Sequence, residues 1–328
     1  MIFNIIRNRE VQTVIFLPVV FLAFWFKTFS TGSIYAFTGT GMPVYELLTN
    51  WDFLRNFQWV RTVLSILILL FIFVQLYRIN YNYIIFEDKS FAPSFLYLIL
   101  FSVYQGNQDL NPALLASIPF IHVIFCLFAS VRKNYAVSNF FEAAFALSLA
   151  SLIYFPILYL FPLFIIALIV LRPVIWREWL IWIVGIITPY LLLFSIEYII
   201  FGSISTLSKK LLAALPSQII INLQIYDWFD AVFLGCFVLI FIVGIFLTVL
   251  HSQTKVHIRG FFKVFIWILF ISYLIFLTRL HQDVQFWSIL SIPACFIVTK
   301  MLYSYRKMLV QEAVFSFIIL LGILNIYF

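Results

Sequence analysis

Long apolar segments that carry almost no charge dominate this chain. Val11–Phe26 contains no charged residue, and Leu180–Phe201 contains one, Glu197. The hydrocarbon core of a bilayer is about 30 Å thick, so a helix needs about 20 apolar residues to cross it. The segments lack the alternation that is typical of a membrane β-strand, and they therefore predict membrane-spanning helices.

Composition excludes a water-soluble fold. Of the 328 residues, 65% are hydrophobic and 10% are charged, whereas soluble domains carry about 25% charged residues. The same composition excludes a disordered protein and a disulfide scaffold. The polar stretches between the apolar segments are too short for a soluble domain, so we predict a single integral membrane domain over residues 1–328.

The predicted fold is an all-α, polytopic transmembrane helical bundle with about 11 spans. The longest apolar segment, Asn139–Leu171, is interrupted by Pro156 and Pro162. Because proline breaks helices, we interpret this segment as two compressed spans that meet near Phe155. The other predicted spans are Val11–Phe26, Trp59–Tyr77, Phe91–Tyr104, Leu114–Val131, Leu180–Phe201, Ala231–Leu250, Phe261–Thr278, Val284–Tyr303 and Ala313–Phe328.

The distribution of cations predicts the orientation of these spans. Lys and Arg are enriched in cytoplasmic loops. With the amino terminus in the cytoplasm, fourteen of the 20 Lys and Arg residues fall inside and six fall outside. Counting Asn139–Leu171 as one span would move Lys255, Arg259 and Lys300 to the outside. We therefore predict a cytoplasmic amino terminus and a carboxyl terminus on the outer side.

Two predicted outer loops, residues 28–58 and 202–230, are long enough to hold structure. In the first loop, Val44–Phe57 mixes apolar residues with charged ones, which predicts an amphipathic helix lying on the membrane surface. In the second loop, Lys209 and Lys210 precede further apolar residues. These lysines either contact lipid head groups or keep a surface helix solvated.

The candidate catalytic residues are Glu46 and Asp52 in the first outer loop. They lie six positions apart, about 120° around a helix axis, so at most one of them acts as a base. Arg279 and His281 occupy a short turn between two spans and are suited to bind a phosphate. The alternative is that all four are ordinary charges that solvate a loop or anchor a helix end.

Ionisable and sulfur-containing side chains are rare inside the spans. Cys126, Cys236 and Cys295 lie in apolar segments and are interpreted as small buried side chains, so we predict no metal site and no disulfide. His122, in the fourth span, is either a functional group or a neutral, hydrogen-bonded histidine on a helix interface. The chain also lacks the common nucleotide, zinc-protease and haem motifs, so we predict no cofactor.

Several segments resemble a family of uncharacterised polytopic inner-membrane proteins of Bacteroidota. They are Arg172–Trp179, then Gly185 and Pro189-Tyr190, together with Met42–Leu48. The resemblance extends along most of the chain and implies the inner membrane of a bacterium, with the carboxyl terminus in the periplasm, but no activity. The arginines and tryptophans of the first segment predict a cytoplasmic anchor, in which Glu178 pairs with an arginine or lies in the next helix's first turn.

The layout also resembles that of membrane-embedded C-type glycosyltransferases, which use polyprenyl-phosphate-linked sugars. The resemblance implies that Glu46 or Asp52 is the catalytic acid and that Arg279 with His281 binds the lipid phosphate. The chain lacks the paired-acid motif of their first loop and their large periplasmic domain. The resemblance is therefore one of architecture.

Three hypotheses about function stay open. A glycosyltransferase-like enzyme predicts an outward-facing groove, and a non-catalytic membrane subunit or assembly factor of a cell-envelope machine predicts an apolar face for partner membrane proteins. A transporter or lipid flippase predicts a polar cavity within the membrane, lined around His122 or the proline kinks. Membrane lipids are expected partners in each case. Nucleic acid is not, because the cations lie at the ends of spans.

Overall fold

The computed structural model is helical throughout the part of the chain that it describes and contains no strand there. That part comprises residues 10–31, 42–51, 54, 56–86, 90–104, 107–131, 133, 135–172, 175–202, 205–214, 235, 238–239, 242–246, 256–279, 284–305 and 307–327. The helices are α1 (Glu10–Thr31), α2 (Pro43–Thr49), α3 (Gln58–Tyr83), α4 (Ala92–Ser102), α5 (Pro112–Ser130), α6 (Val137–Ile153), α7 (Pro162–Leu171), α8 (Trp176–Phe201), α9 (Ser205–Ala214), α10 (Val256–Arg279), α11 (Trp287–Ser304) and α12 (Met308–Tyr327). Two short 3-10 segments, Phe155–Leu160 and Val284–Phe286, precede α7 and α11.

Within these described residues, five helices are long and apolar enough to cross a membrane. They lie in α3, α5, α8, α10 and α11. Shorter apolar helices cover Leu17–Ser30, Ala92–Ser102, Val137–Ile153, Phe155–Leu171 and Met308–Leu320. The chain is thus an all-helical membrane protein, while the count of 11 spans stays a prediction. The span predicted over Ala231–Leu250 lies mostly outside the described residues.

The long apolar segment around residue 155 breaks where the prolines predict. Helix α6 ends at Ile153, a 3-10 segment begins at Phe155, and α7 begins at Pro162. Phe155 packs against Met42 and Tyr45 at one end of the bundle. Directly after α7, Arg172 donates a hydrogen bond to the carbonyl of Ser130 at the opposite end, where α6 also begins. The chain therefore turns back near Phe155, as expected.

Helix α3 defines the two ends of the bundle. Arg61 and Arg78 lie 17 residues apart on it, which corresponds to about 25 Å along the helix axis. At the first end, Arg61 contacts Asp109, and we call this the outer end, following the predicted orientation. At the other, inner end, the Tyr83 hydroxyl donates to the carbonyl of Phe125, 3.1 Å away.

The centre of the bundle is a stack of three helices. Helix α6 packs between α5 and α8, and α3 packs against α5. Small residues bring α6 and α8 close together, because a Cβ atom added at Gly185 would lie 2.7 Å from the Cβ atom of Ala144. Two hydrogen bonds join the same pair of helices, from Ser148 Oγ to the carbonyl of Ile186 and between the hydroxyls of Ser151 and Tyr190.

The inner end is held by a buried ion pair. Arg172 and Glu178 lie 3.4 Å apart, and Glu178 also accepts a hydrogen bond from the backbone N–H of Ala136. Glu178 lies in the first turn of α8, where the helix dipole favours a negative charge. Both parts of the sequence interpretation of Glu178 are therefore confirmed, and the pair ties the ends of α5, α6, α7 and α8 together.

The helix expected over Val44–Phe57 differs from the prediction. Helix α2 ends at Thr49, and its Tyr45 side chain is fully buried instead of lying on a membrane surface. The Tyr45 hydroxyl donates to the carbonyl of Leu110 at 3.2 Å, which lets a large aromatic side chain enter the protein with its polar group satisfied. In the second loop, the described residues form α9, and residues 215–234 lie outside the described part.

Candidate functional site

A cavity of about 700 Å³ lies between α3, α5 and α6. It reaches from the inner end of these helices toward their middle. Its lining residues are Phe71, Gln75, Arg78, Ile79, Ile118, Pro119, Ile121, His122, Phe125, Phe141, Glu142, Phe145, Ala146 and Leu149. A volume of this size is typical of sites that hold a small organic ligand.

The cavity has a polar end and an apolar end. Its polar lining residues are Gln75, Arg78, His122 and Glu142. Helices α3 and α5 run in one direction and α6 runs in the other, so these residues meet toward the inner end. Ile79, Phe125 and Phe141 also line that end, while Phe71, Ile118 and Leu149 line the other end, which has no polar lining residue among those described. Phe71 is 46% exposed and Leu149 is 38% exposed, so the apolar end is open. In a membrane, that opening faces lipid.

Three potential metal ligands cluster at the polar end. His122 Nε2 lies 3.4 Å from Cys126 Sγ, and the Cys126 thiol donates to Glu142 Oε2 at 3.8 Å. The ligand atoms of the three residues all lie within 4.8 Å of one another. His122 and Glu142 are exposed to the cavity, whereas Cys126 is only 2% exposed.

Local structure explains why these side chains meet. His122 and Cys126 are four residues apart on α5, so they share one face of the helix. The Asn139 side-chain amide donates to the carbonyl of Cys126 at 3.3 Å, which fixes the start of α6 against α5. Glu142 follows Asn139 by three residues and therefore lies on the same face of α6.

Arg78 and Gln75 complete the polar end from α3. The structure gives neither side chain a hydrogen bond or ion-pair partner among the residues that it describes. A guanidinium donates up to five hydrogen bonds in a planar fork and matches the geometry of a phosphate or carboxylate. This side of the cavity is therefore suited to the head of an anionic ligand.

The predicted catalytic and phosphate-binding residues are only partly described. Glu46 forms an ion pair with Lys210 of α9, which joins the two outer loops. Arg279 ends α10, but its side chain, Asp52 and His281 lie outside the described residues. Whether these four residues share a groove therefore stays a prediction.

A second buried polar cluster lies at the outer end. Arg61 Nε and Asp109 Oδ2 are 3.3 Å apart, and the Arg61 guanidinium also donates to the carbonyl of Leu54 at 2.9 Å. Next to them, the Gln108 side-chain amide donates to the carbonyl of Ser102 at 2.8 Å. These groups satisfy one another and the backbone, so the cluster holds the loop between α4 and α5 in place.

Nothing in the sequence shows that the cavity residues belong to one site. His122 was considered alone, as a histidine within a span, and Cys126 was interpreted as a small buried side chain. What the sequence does not contain is the rotation of α6 about its own axis, which decides whether Glu142 faces α5. Arg78 was counted only as a cation for the orientation of the chain.

Comparison with known proteins gives no match to a protein-family model, to a curated protein or to a solved structure. The class of the protein therefore follows from its own fold and cavity. It is a helical membrane protein with an amphipathic cavity between three of its helices.

Proposed function

We propose that this protein binds a phospholipid-like amphiphile with an anionic phosphate head and belongs to the transporter or lipid-flippase class. One observation supports this above all, namely the separation of polar and apolar lining residues within a single cavity that is open at its apolar end. Arg78 and Gln75 would donate hydrogen bonds to the phosphate oxygens. The acyl chain would extend past Phe71 and Leu149 into the surrounding bilayer.

Binding is tested by native mass spectrometry of the full-length protein in detergent, titrated with phosphatidylglycerol. We expect Arg78→Gln to weaken binding by about 10- to 100-fold, because a hydrogen bond to a charged group contributes about 1.5–3 kcal/mol. Leu149→Trp should also weaken binding, because the larger ring enters the apolar end. The matched controls are Lys307→Gln, an exposed cation, and Leu180→Trp on the exposed face of α8. Equal affinity of the cavity and control variants would contradict the proposal.

Movement of lipid is a separate measurement. Proteoliposomes with a fluorescently labelled phospholipid report translocation when a membrane-impermeant reductant quenches only the outer leaflet. We expect faster translocation with the wild type than with empty liposomes, and loss of that difference with Leu149→Trp. Binding without translocation would overturn the transport class and favour the non-catalytic membrane subunit of a cell-envelope machine.

The glycosyltransferase hypothesis concerns the opposite end of the bundle. It requires Glu46 or Asp52 near Arg279 and His281, and the ion pair between Glu46 and Lys210 supports it only by placing an acid and a cation together at the outer end. Its test is transfer from a polyprenyl-phosphate-linked sugar, with loss of transfer in Glu46→Gln or Asp52→Asn. The membership of the Bacteroidota family and the inner-membrane location are likewise proposals that rest on resemblance.

A further inference from the structure

We infer that His122, Cys126 and Glu142 form a binding site for a divalent transition metal, with Zn²⁺ as the best fit. The site goes beyond the proposed function because metal binding at these three residues requires no amphiphile. It lies on the wall of the cavity, between α5 and α6, at the polar end.

The distances between the ligand atoms suit one tetrahedral ion. Zinc binds sulfur at about 2.3 Å and nitrogen or oxygen at about 2.0–2.2 Å, so two ligand atoms on one zinc lie about 3.5 Å apart. The observed separation between His122 Nε2 and Cys126 Sγ is 3.4 Å, and that between Cys126 Sγ and Glu142 Oε2 is 3.8 Å. The ligand atoms of His122 and Glu142 lie within 4.8 Å of each other, so side-chain rotations that draw these two ligands together would bring all three atoms onto one metal.

The chemistry of the three groups selects the ion. One thiolate, one imidazole and one carboxylate form a ligand set of intermediate softness, which Zn²⁺ prefers over the all-oxygen sites of Mg²⁺ and Ca²⁺. Binding displaces the proton of the Cys126 thiol to solvent as the zinc–sulfur bond forms. The thiolate and the carboxylate then balance the two charges of the metal, so the loaded site is neutral beside the apolar part of the cavity.

Supporting contacts hold the ligands in place. Asn139 fixes the backbone of Cys126 to the start of α6, and Lys133 donates to the Asn139 side chain at 2.7 Å. Outer contacts of this kind orient metal ligands. Three protein ligands leave a fourth tetrahedral position open toward the cavity, where His122 and Glu142 are exposed. A water molecule or an oxygen atom of a ligand would fill it.

Cobalt is the probe that tests this site, because Co²⁺ replaces zinc and its thiolate complexes absorb near-ultraviolet light. The full-length protein in detergent is treated with a chelator and titrated with Co²⁺. We expect one bound Co²⁺ per chain with a thiolate-to-cobalt charge-transfer band, which Cys126→Ser removes. We also expect His122→Gln and Glu142→Gln to weaken binding by at least about 100-fold, since loss even of an outer contact costs 10- to 100-fold.

Cys295→Ser is the matched control, because its thiol is buried in α11 and donates to the carbonyl of Ile292. It should keep the band and the affinity. Absence of the band in the wild type, its persistence in Cys126→Ser, or its equal loss in Cys295→Ser would each overturn the metal site. If Cys126→Ser does not elute as a single species, the Co²⁺ affinity of Glu142→Gln tests the metal site instead, because Glu142 is exposed and its substitution is expected to leave the fold intact.

Arg78→Gln separates this inference from the proposed function. The variant should bind Co²⁺ like the wild type while its affinity for phosphatidylglycerol falls, because Arg78 lies on α3 and is not one of the three ligands. Cobalt binding without lipid binding contradicts only the proposed function. Lipid binding without the cobalt band contradicts only the metal site.

Discussion

At the scale of single residues, the buried ion pair between Arg61 and Asp109 decides how the loop before α5 is held. The Asp109 side chain is fully buried, and that of Arg61 is 9% exposed. Asp109→Ala would leave a buried guanidinium without its counter-charge, which costs about 3–5 kcal/mol. We therefore expect this variant to melt at a clearly lower temperature in detergent. The melting temperature is measured from the loss of the single-species peak in size-exclusion chromatography after heating.

Two further variants control for this prediction. Lys209→Met removes an exposed cation and should leave the melting temperature nearly unchanged, because surface charges contribute little to stability. The double variant Arg61→Met with Asp109→Leu should lose less than the sum of the two single variants, because neither charge is then left alone. The pair would have no structural role if Asp109→Ala melted at the same temperature as Lys209→Met.

At the scale of helices, the close contact between α6 and α8 depends on Gly185. A Cβ atom at this position would lie 2.9 Å from the carbonyl oxygen of Phe141 and 2.7 Å from the Cβ of Ala144. Because the added Cβ would clash with the backbone of α6, Gly185→Ala must push the two helices apart. Overpacking of this kind lowers the free energy of unfolding by about 1–3 kcal/mol. Phe141 precedes Glu142, so we also expect the shift of α6 to weaken Co²⁺ binding at the cavity.

Gly235→Ala is the matched control for this prediction, since a Cβ at Gly235 meets nothing within 4 Å. It should change neither the melting temperature nor the Co²⁺ affinity. An unchanged melting temperature in Gly185→Ala would show that the two helices are not in close contact. A lower melting temperature with unchanged Co²⁺ affinity would show that α6 does not transmit the shift to Glu142.

The elements show how far the sequence alone leads. Apolar length predicted the helices, and Pro156 and Pro162 predicted the break near Phe155, because both effects are local. The predicted surface helix from Val44 was too long, since α2 ends at Thr49. Its placement on the membrane surface was wrong for Tyr45, because burial of that side chain depends on a carbonyl group supplied by Leu110. Contacts between distant positions could not be predicted, such as the pairing of Glu46 with Lys210.

The contrast between local effects and contacts of distant residues also explains why one candidate site could be predicted from the sequence and the other could not. The outer acids and cations are visible in the sequence as charges in loops, so they were the first candidates. The cavity was not visible, because its lining residues come from three helices whose rotations are set by packing. Only the expectation for a transporter, a cavity lined around His122 or the proline kinks, anticipated a site that includes both His122 and Pro119.

At the scale of the whole molecule, the first and last described helices fix the relation between the two chain ends. Lys27, near the end of α1, donates to the carbonyl of Ile326, near the end of α12, so the two helices end at the same side. Thr28 is hydrogen-bonded to Gln108, next to Asp109, which identifies that side as the outer end. Helix α1 begins 17 residues before Lys27, about 25 Å away at 1.5 Å per residue, and so starts near the inner end.

The geometry therefore predicts that α1 begins on one side of the membrane and α12 ends on the other. With the excess of cations at the inner end, reporter fusions should place the amino terminus in the cytoplasm and the carboxyl terminus outside. An alkaline phosphatase fused after Phe328 should be active, and a fluorescent protein fused before Met1 should fluoresce. A fusion within residues 133–135, between α5 and α6, should behave like the amino-terminal one. If the two chain ends reported the same compartment, α1 and α12 could not both cross the membrane in the same direction, and the cavity could not be assigned to the cytoplasmic half.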